Sequence, residues 1–137
     1  MAATLADVSR LAGGLPEVVE GDRRGTLIWD VAGKTFAWER PFSKADVKRY
    51  GDATPPDGPI LAVRVADLGE KEAVLAAHPG PLFTIPHFDG FSAVLVHLRT
   101  VPKRLLRDVL TDGWLCTAPP GLVEAFLAAR RSRPRAR

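Results

Sequence analysis

From Thr4 to Leu15 the apolar residues Leu5, Val8, Leu11, Ala12 and Leu15 recur at intervals of three and four, with Asp7, Ser9 and Arg10 between them. That spacing predicts a helix with one buried face. Thr4 followed three residues later by Asp7 has the form of a capping box, Gly13 and Gly14 offer a left-handed C-terminal cap, and Pro16 forbids continuation. The segment Gly25 to Arg40 is rich in Thr, Ile, Trp, Val and Phe and is split by Ala32-Gly33, which predicts a hairpin. Strict alternation in its second arm would put Phe36, Trp38 and Arg40 on one face and Thr35, Ala37 and Glu39 on the other.

Arg40 to Gly58 is polar and carries Pro55-Pro56, so it is expected as a loop with one helical turn after Ser43. Ile60 to Val65 reads as a buried strand. Asp67 with Glu70 three residues on marks the start of a helix reaching about Ala77. Pro79, Gly80 and Pro81 end it, Leu82 to Ile85 is a short strand, and Phe91 to Leu98 a longer one after the Asp89-Gly90 turn. Beyond Pro102, Leu105, Leu106, Val109 and Leu110 share one helical face while Lys103, Arg104, Arg107 and Asp108 occupy the other. After Pro119-Pro120-Gly121, Leu122, Val123, Phe126 and Leu127 repeat that spacing in a last helix. The expectation is a sheet of about five strands with helices packed on it and no internal repeat.

Composition adds bounds to this pattern. A chain of 137 residues, 46% hydrophobic and 26% charged, suits one soluble globular domain. The 19 Lys and Arg exceed the 16 Asp and Glu only because the last eight residues, Arg130 to Arg137, hold five arginines and no acid. Residues 1–129 are therefore expected as the domain and 130–137 as a mobile Arg-rich tail, since Pro134 and the arginines bury little apolar area. The single cysteine, Cys116, excludes an intramolecular disulfide or a paired-cysteine zinc site and suggests the cytoplasm. The longest uncharged run, Ala73 to Phe88, is too short and too proline-broken to span a membrane. The acidic Asp7 and the lack of a basic start argue against a secretory signal.

Three phrases, Val31-Ala-Gly-Lys-Thr-Phe-Ala-Trp38, Thr84-Ile-Pro-His-Phe-Asp-Gly90 and Asp112-Gly-Trp114, in this order and at these separations, resemble the bacterial MmcQ/YjbR family. Leu15-Pro-Glu17, Glu70-Lys-Glu72 and Ala118-Pro119 add to the resemblance, which covers most of the chain. It implies an α/β (α+β) two-layer fold like that of frataxin and CyaY, with an antiparallel sheet and helices on one face. It also implies a DNA-binding role, through hairpins and loops that flank the helices.

The residues permit several chemistries. His87 and Asp89, two apart at a turn, could hydrogen-bond a ligand or exchange a proton, although Asp-Gly is also a turn signal in its own right. His78, His87 and His97 are too far apart in sequence to match a local metal-ligand spacing, and the first helix has only Asp7 where an acidic iron-loading ridge would be needed. No dinucleotide, P-loop, GxSxG or HExxH motif occurs, so neither a metal nor another cofactor is expected, and catalysis ranks last among the functions. For nucleic acid the candidates are Arg23, Arg24, Lys34, Lys44, Lys48, Arg49, Lys103, Arg104, Arg107, Arg130 and Arg131. Their contacts are expected to reach phosphates rather than base edges, because no helix shows the Asn, Gln and Arg pattern of major-groove reading. The expected function is weak, backbone-directed DNA binding without catalysis. The alternative is a module that binds a small molecule or protein in a groove lined by Trp38, His87 and Asp89.

Overall fold

The structure, a computed structural model, describes residues 3–51 and 58–132. Its elements run α1 (Leu5–Gly13), β1 (Val18–Arg23), β2 (Thr26–Val31), β3 (Lys34–Glu39), α2 (Lys44–Arg49), β4 (Ile60–Arg64), α3 (Leu68–Ala77), β5 (Leu82–Phe83), β6 (Ala93–His97), α4 (Lys103–Thr117) and α5 (Pro120–Ser132). A 3-10 turn, Pro86–Phe88, lies between β5 and β6. The strands form one antiparallel sheet in the order β1-β2-β3-β4-β6-β5. This is the expected α+β architecture, with six strands where about five were expected.

The added strand is β1. Its residues Val-Val-Glu-Gly-Asp-Arg do not alternate apolar with polar, and it is an edge strand with only Val18 and Gly21 half-buried. It is held by a two-residue turn at Arg24-Gly25, both at positive φ (54° and 86°). Ala32-Gly33, at 51° and 79°, makes the same kind of turn between β2 and β3. Two positive-φ central residues match the right-handed twist of the flanking strands.

Capping chemistry fixes the helix starts. Thr4 and Asp7 form the capping box of α1, and Ser43 and Asp46 form that of α2, so the single helical turn expected after Ser43 is a complete short helix. The Asp67 side chain accepts from the Glu70 N–H at the start of α3. At the other end of α1 the expected left-handed cap is absent: Gly14 has φ −79°, and its N–H closes the last turn onto Leu11 and Ala12 carbonyls instead.

Two apolar layers flank the sheet. On one face Val8 and Ala12 of α1 and Leu106, Leu110 and Trp114 of α4 pack with Trp29, Val31, Phe36, Ala37, Leu61, Val63 and Val96; Leu122, Val123 and Phe126 of α5 join them. Each such fully buried large side chain contributes about 1.5–3 kcal/mol relative to exposure. On the other face Ile60, Ala62, Ala93 and Leu95 are covered by Ile85 and Phe88, with Trp38, Phe42, Tyr50 and Phe83 at the edge.

Simple alternation fails in β3. Trp29 faces Ala37 and Asp30 faces Thr35, which leaves Phe36 as an extra residue with no partner across the pair. This bulge sends both Phe36 and Ala37 into the helix-side core and leaves Trp38 on the opposite face. The pairing of Phe36 with Trp38 expected from the sequence is thus corrected by one inserted residue.

α5 runs through Ser132, so Arg130 and Arg131, expected in a mobile arm, form its last turn. Ala128, Ala129 and the two arginines are all good helix formers. Arg133 to Arg137 and the Pro55-Pro56 pair lie outside the described residues.

Candidate nucleic-acid interface

Strand β4 is apolar and buried from Ile60 to Val63 and ends in Arg64, which is half-buried on the same face as Ala62 and Ile60. There the Arg64 Nε–H donates to the Thr35 carbonyl at 2.8 Å. The guanidinium carbon lies 5.9 Å from the ring centre of Trp38 and 5.5 Å from that of Phe91. The side chain is therefore held by one hydrogen bond and two aromatic faces, an arrangement suited to Arg and not to Lys. None of the salt bridges among the described residues involves it.

Around this group lies a groove of about 630 Å³. Arg23 from the end of β1 and Lys34 from the start of β3 join Arg64 as its cations, and Trp38 and Phe91 are its rings. Thr35, Cys116 and Thr117 complete the wall, so the groove extends to the last turn of α4. No acid lines it. Just beyond the lining the Asp30 carboxylate accepts from the Thr35 hydroxyl, so three cations stand against one adjoining acid, a net positive charge that attracts an anion.

A second depression of about 320 Å³ shares Trp38 and Phe91 and adds Arg40, His87 and Phe88. Its cation is already neutralised: Arg40 Nη1 lies 2.9 Å from Asp46 Oδ2 and also donates to the Pro41 carbonyl at 2.7 Å. Trp38 and His87 both line this depression. Asp89 does not line this depression; its charge acts on Lys71.

Lys71 is bonded to the turn that carries His87 and Asp89. It is buried, and its ammonium donates to the carbonyls of Phe88 (2.7 Å) and Phe91 (2.8 Å). Burial lowers the Lys71 pKa, an effect that Asp89 partly opposes. With Gly90 at φ 76°, the segment is a pinned turn that fixes Phe91 against Arg64.

The remaining basic candidates are dispersed. Arg24 sits in the exposed β1–β2 turn. Lys44, Lys48 and Arg49 are on α2, where Arg49 lies 3.6 Å from Asp46. Lys103 reaches Asp7 at 3.7 Å and links α4 to α1. Arg104 borders a different cleft with His78 and Leu82, and Arg107 is exposed. Because Lys34 shares its groove with Cys116, Arg104 lies roughly 18 Å back along the helix axis at 1.5 Å per residue, too far for one compact site. Arg130 stacks 5.4 Å from the Phe126 ring centre, and Arg131 is exposed.

Cys116 is an exposed residue, but desolvation around its sulfur pushes the thiol pKa up, and Sγ donates to the Gly113 carbonyl at 3.3 Å. It is a thiol at neutral pH, not an activated thiolate. Across α4 a mostly apolar cleft of about 370 Å³ lies between α3 and α4, with Glu70 and Asp112 among Val65, Val74, Val94, Val109 and Leu115. Burial, then the like charges of Asp108 and Glu70, raise the Asp112 pKa, while Arg130 opposes them. Among the described residues no three His, Cys, Asp or Glu side chains are grouped to hold a metal ion. No helix among them is long and apolar enough to cross a membrane.

Of the residues lining the larger groove, the sequence singles out Arg23 and Lys34 as nucleic-acid candidates and Trp38 as a ligand candidate, and does not single out Arg64 or Phe91. The available signal for Arg64 was a lone cation ending an apolar strand, in phase with Ala62.

Comparison with known proteins gives three findings. A model of the YjbR family matches residues 13–116. Uncharacterised proteins of Mycobacterium tuberculosis and Mycobacterium bovis are 47% identical over 129 residues, spanning 92% of this chain and 97% of theirs. A crystal structure of the Deinococcus radiodurans protein DR2400, a DUF419 domain, superposes with a TM-score of 0.63 at 24% identity, covering 90% of this chain and 85% of that one. The last likeness establishes a shared fold.

Proposed function

We propose that this chain, which belongs to the YjbR family, binds DNA through the Arg23–Lys34–Arg64 groove, by contacts to the phosphate backbone. The observation that carries this reading is the arrangement of Arg64: a preorganised guanidinium between two rings, joined by two more cations, in a groove without an acid. Phosphate contacts of this kind position a strand without reading its sequence. Three cations can neutralise about three phosphates, so the slope of log K against log salt should be about −2 to −3. Binding is accordingly weak and lost at high salt.

A second reading, a small-molecule or protein site, has one observation in its favour: Trp38 and His87 line the same depression. The pairing of Arg40 with Asp46 leaves that depression without a free cation for an anionic ligand.

Fluorescence anisotropy of labelled DNA over a salt series tests the first reading. Wild type should bind with the slope given above, and Arg64→Gln and the Arg23→Ala/Lys34→Ala pair should each weaken binding and flatten the slope. Equal binding by wild type and all these variants would refute the groove as the DNA site. Failure of wild type to bind at low salt would refute DNA binding itself.

A further inference from the structure

We infer that the Arg64 groove takes nucleotides whose bases are unpaired, so that this protein prefers single-stranded DNA to duplex; the inference rests on the DNA reading above. Trp38 and Phe91 share the groove with the three cations; Trp38 is packed against Phe88, Phe91 and the Arg64 guanidinium, whereas Phe91, beside Phe88 and Arg64, remains 38% exposed. The arrangement combines phosphate-attracting charge with ring faces in one recess.

A duplex can satisfy only half of this. Its phosphates can reach Arg23, Lys34 and Arg64, but its bases are stacked inside the helix and leave the exposed part of Phe91 uncovered. A strand with free bases can place a phosphate on the cations and lay the neighbouring base against the exposed part of Phe91. Every base has a π-face, so such contacts tolerate any sequence. A volume of about 630 Å³ lies within the roughly 300–1,000 Å³ range of small-ligand sites, large enough to admit a base and its phosphate together. Arg64 is fixed by its bond to the Thr35 carbonyl before any ligand arrives, so little ordering of that side chain remains to oppose binding.

The same chemistry is present in a free mononucleotide, which separates the two sources. The experiment measures anisotropy of the full chain with fluorescein-labelled oligothymidylate, with the same oligomer annealed to oligoadenylate, and with thymidine monophosphate as competitor, all at one low salt concentration. The expected result is roughly tenfold tighter binding of the single strand than of the duplex, from stacking on one ring. Phe91→Ala should weaken single-strand binding several-fold more than duplex binding, since both forms lose a ring that holds Arg64 but only the single strand loses a surface for its base, whereas Trp38→Leu should weaken both alike. Arg64→Gln should weaken both. Equal affinity for strand and duplex, each sensitive to Arg64→Gln, would overturn the inference and leave the DNA reading standing. Displacement of the strand by thymidine monophosphate at concentrations near the strand's own Kd would overturn the strand as the ligand. Binding of neither DNA form would overturn both.

Discussion

Gly113 of α4 lies directly over Val63 of β4: a Cβ placed on Gly113 would sit 2.6 Å from Val63 Cγ1 and 3.2 Å from the Arg64 carbonyl oxygen. The helix can approach the sheet this closely only because residue 113 has no side chain. The next residue, Trp114, is fully buried, donates through its indole N–H to the Pro16 carbonyl at 2.9 Å, and packs 4.9 Å from the Phe126 ring. Asp112-Gly-Trp114 is therefore a packing motif. It seats α4 on the strand that carries Arg64.

Gly113→Ala should force α4 and β4 apart. The expected loss is about 1–3 kcal/mol, the range for overpacking a filled core. Urea unfolding at neutral pH checks this, and an unchanged midpoint would show that the contact relaxes freely.

The turn that carries Phe91 depends on Lys71. Lys71→Met keeps the length of the side chain but leaves the Phe88 and Phe91 carbonyls without their ammonium donor. A buried acceptor stripped of its partner costs about 1–3 kcal/mol, although removing a desolvated charge offsets part of that. Hydrogen exchange at residues 87–91 should accelerate while the centres of β4 and β6 remain protected.

Asp46 gives a pH dependence. Burial pushes its pKa up, but the Ser43 N–H and the Arg40 guanidinium outweigh burial and hold it below 3.8. A lowered folded pKa stabilises the fold above the unfolded value, and that contribution disappears as pH falls through the folded value. Asp46→Asn should therefore be less stable than wild type at pH 7, with the gap closing below pH 3.8 in paired urea titrations.

Asp112 has the opposite sign. Burial and the charges of Asp108 and Glu70 raise its pKa above 3.8, so the ionised carboxylate opposes folding at neutral pH and ceases to do so as pH falls to 3.8 and below. Asp112→Asn should raise Tm at pH 7 and leave it nearly unchanged at pH 3.5. A lower Tm at pH 7 would mean that the carboxylate makes a favourable contact.

Local chemistry was the legible part of the sequence. Thr4 with Asp7, Asp67 with Glu70 and Ala32-Gly33 act within a few residues, and each marks the element it predicts. β1 was not legible, because Glu20, Gly21 and Asp22 break its alternation and only pairing with β2 makes it a strand. The bulge at Phe36 was hidden for a related reason: one extra residue matters only against the register of the neighbouring strand. The groove itself joins residues 23, 34, 38, 64 and 91, which the order β1-β2-β3-β4-β6 brings together across long stretches of chain. Arg23, Lys34 and Trp38 could be chosen by residue type. The ring contacts that single out Arg64 exist only in the folded sheet.

The most direct test is a backbone-amide NMR titration of the full chain with single-stranded oligothymidylate at low salt. The account expects shift changes concentrated at residue 23, residues 34–38, residues 64 and 91, and residues 116–117, together with the Trp38 indole signal. Changes confined to α2 or to Arg130 and Arg131, with the groove silent, would contradict it.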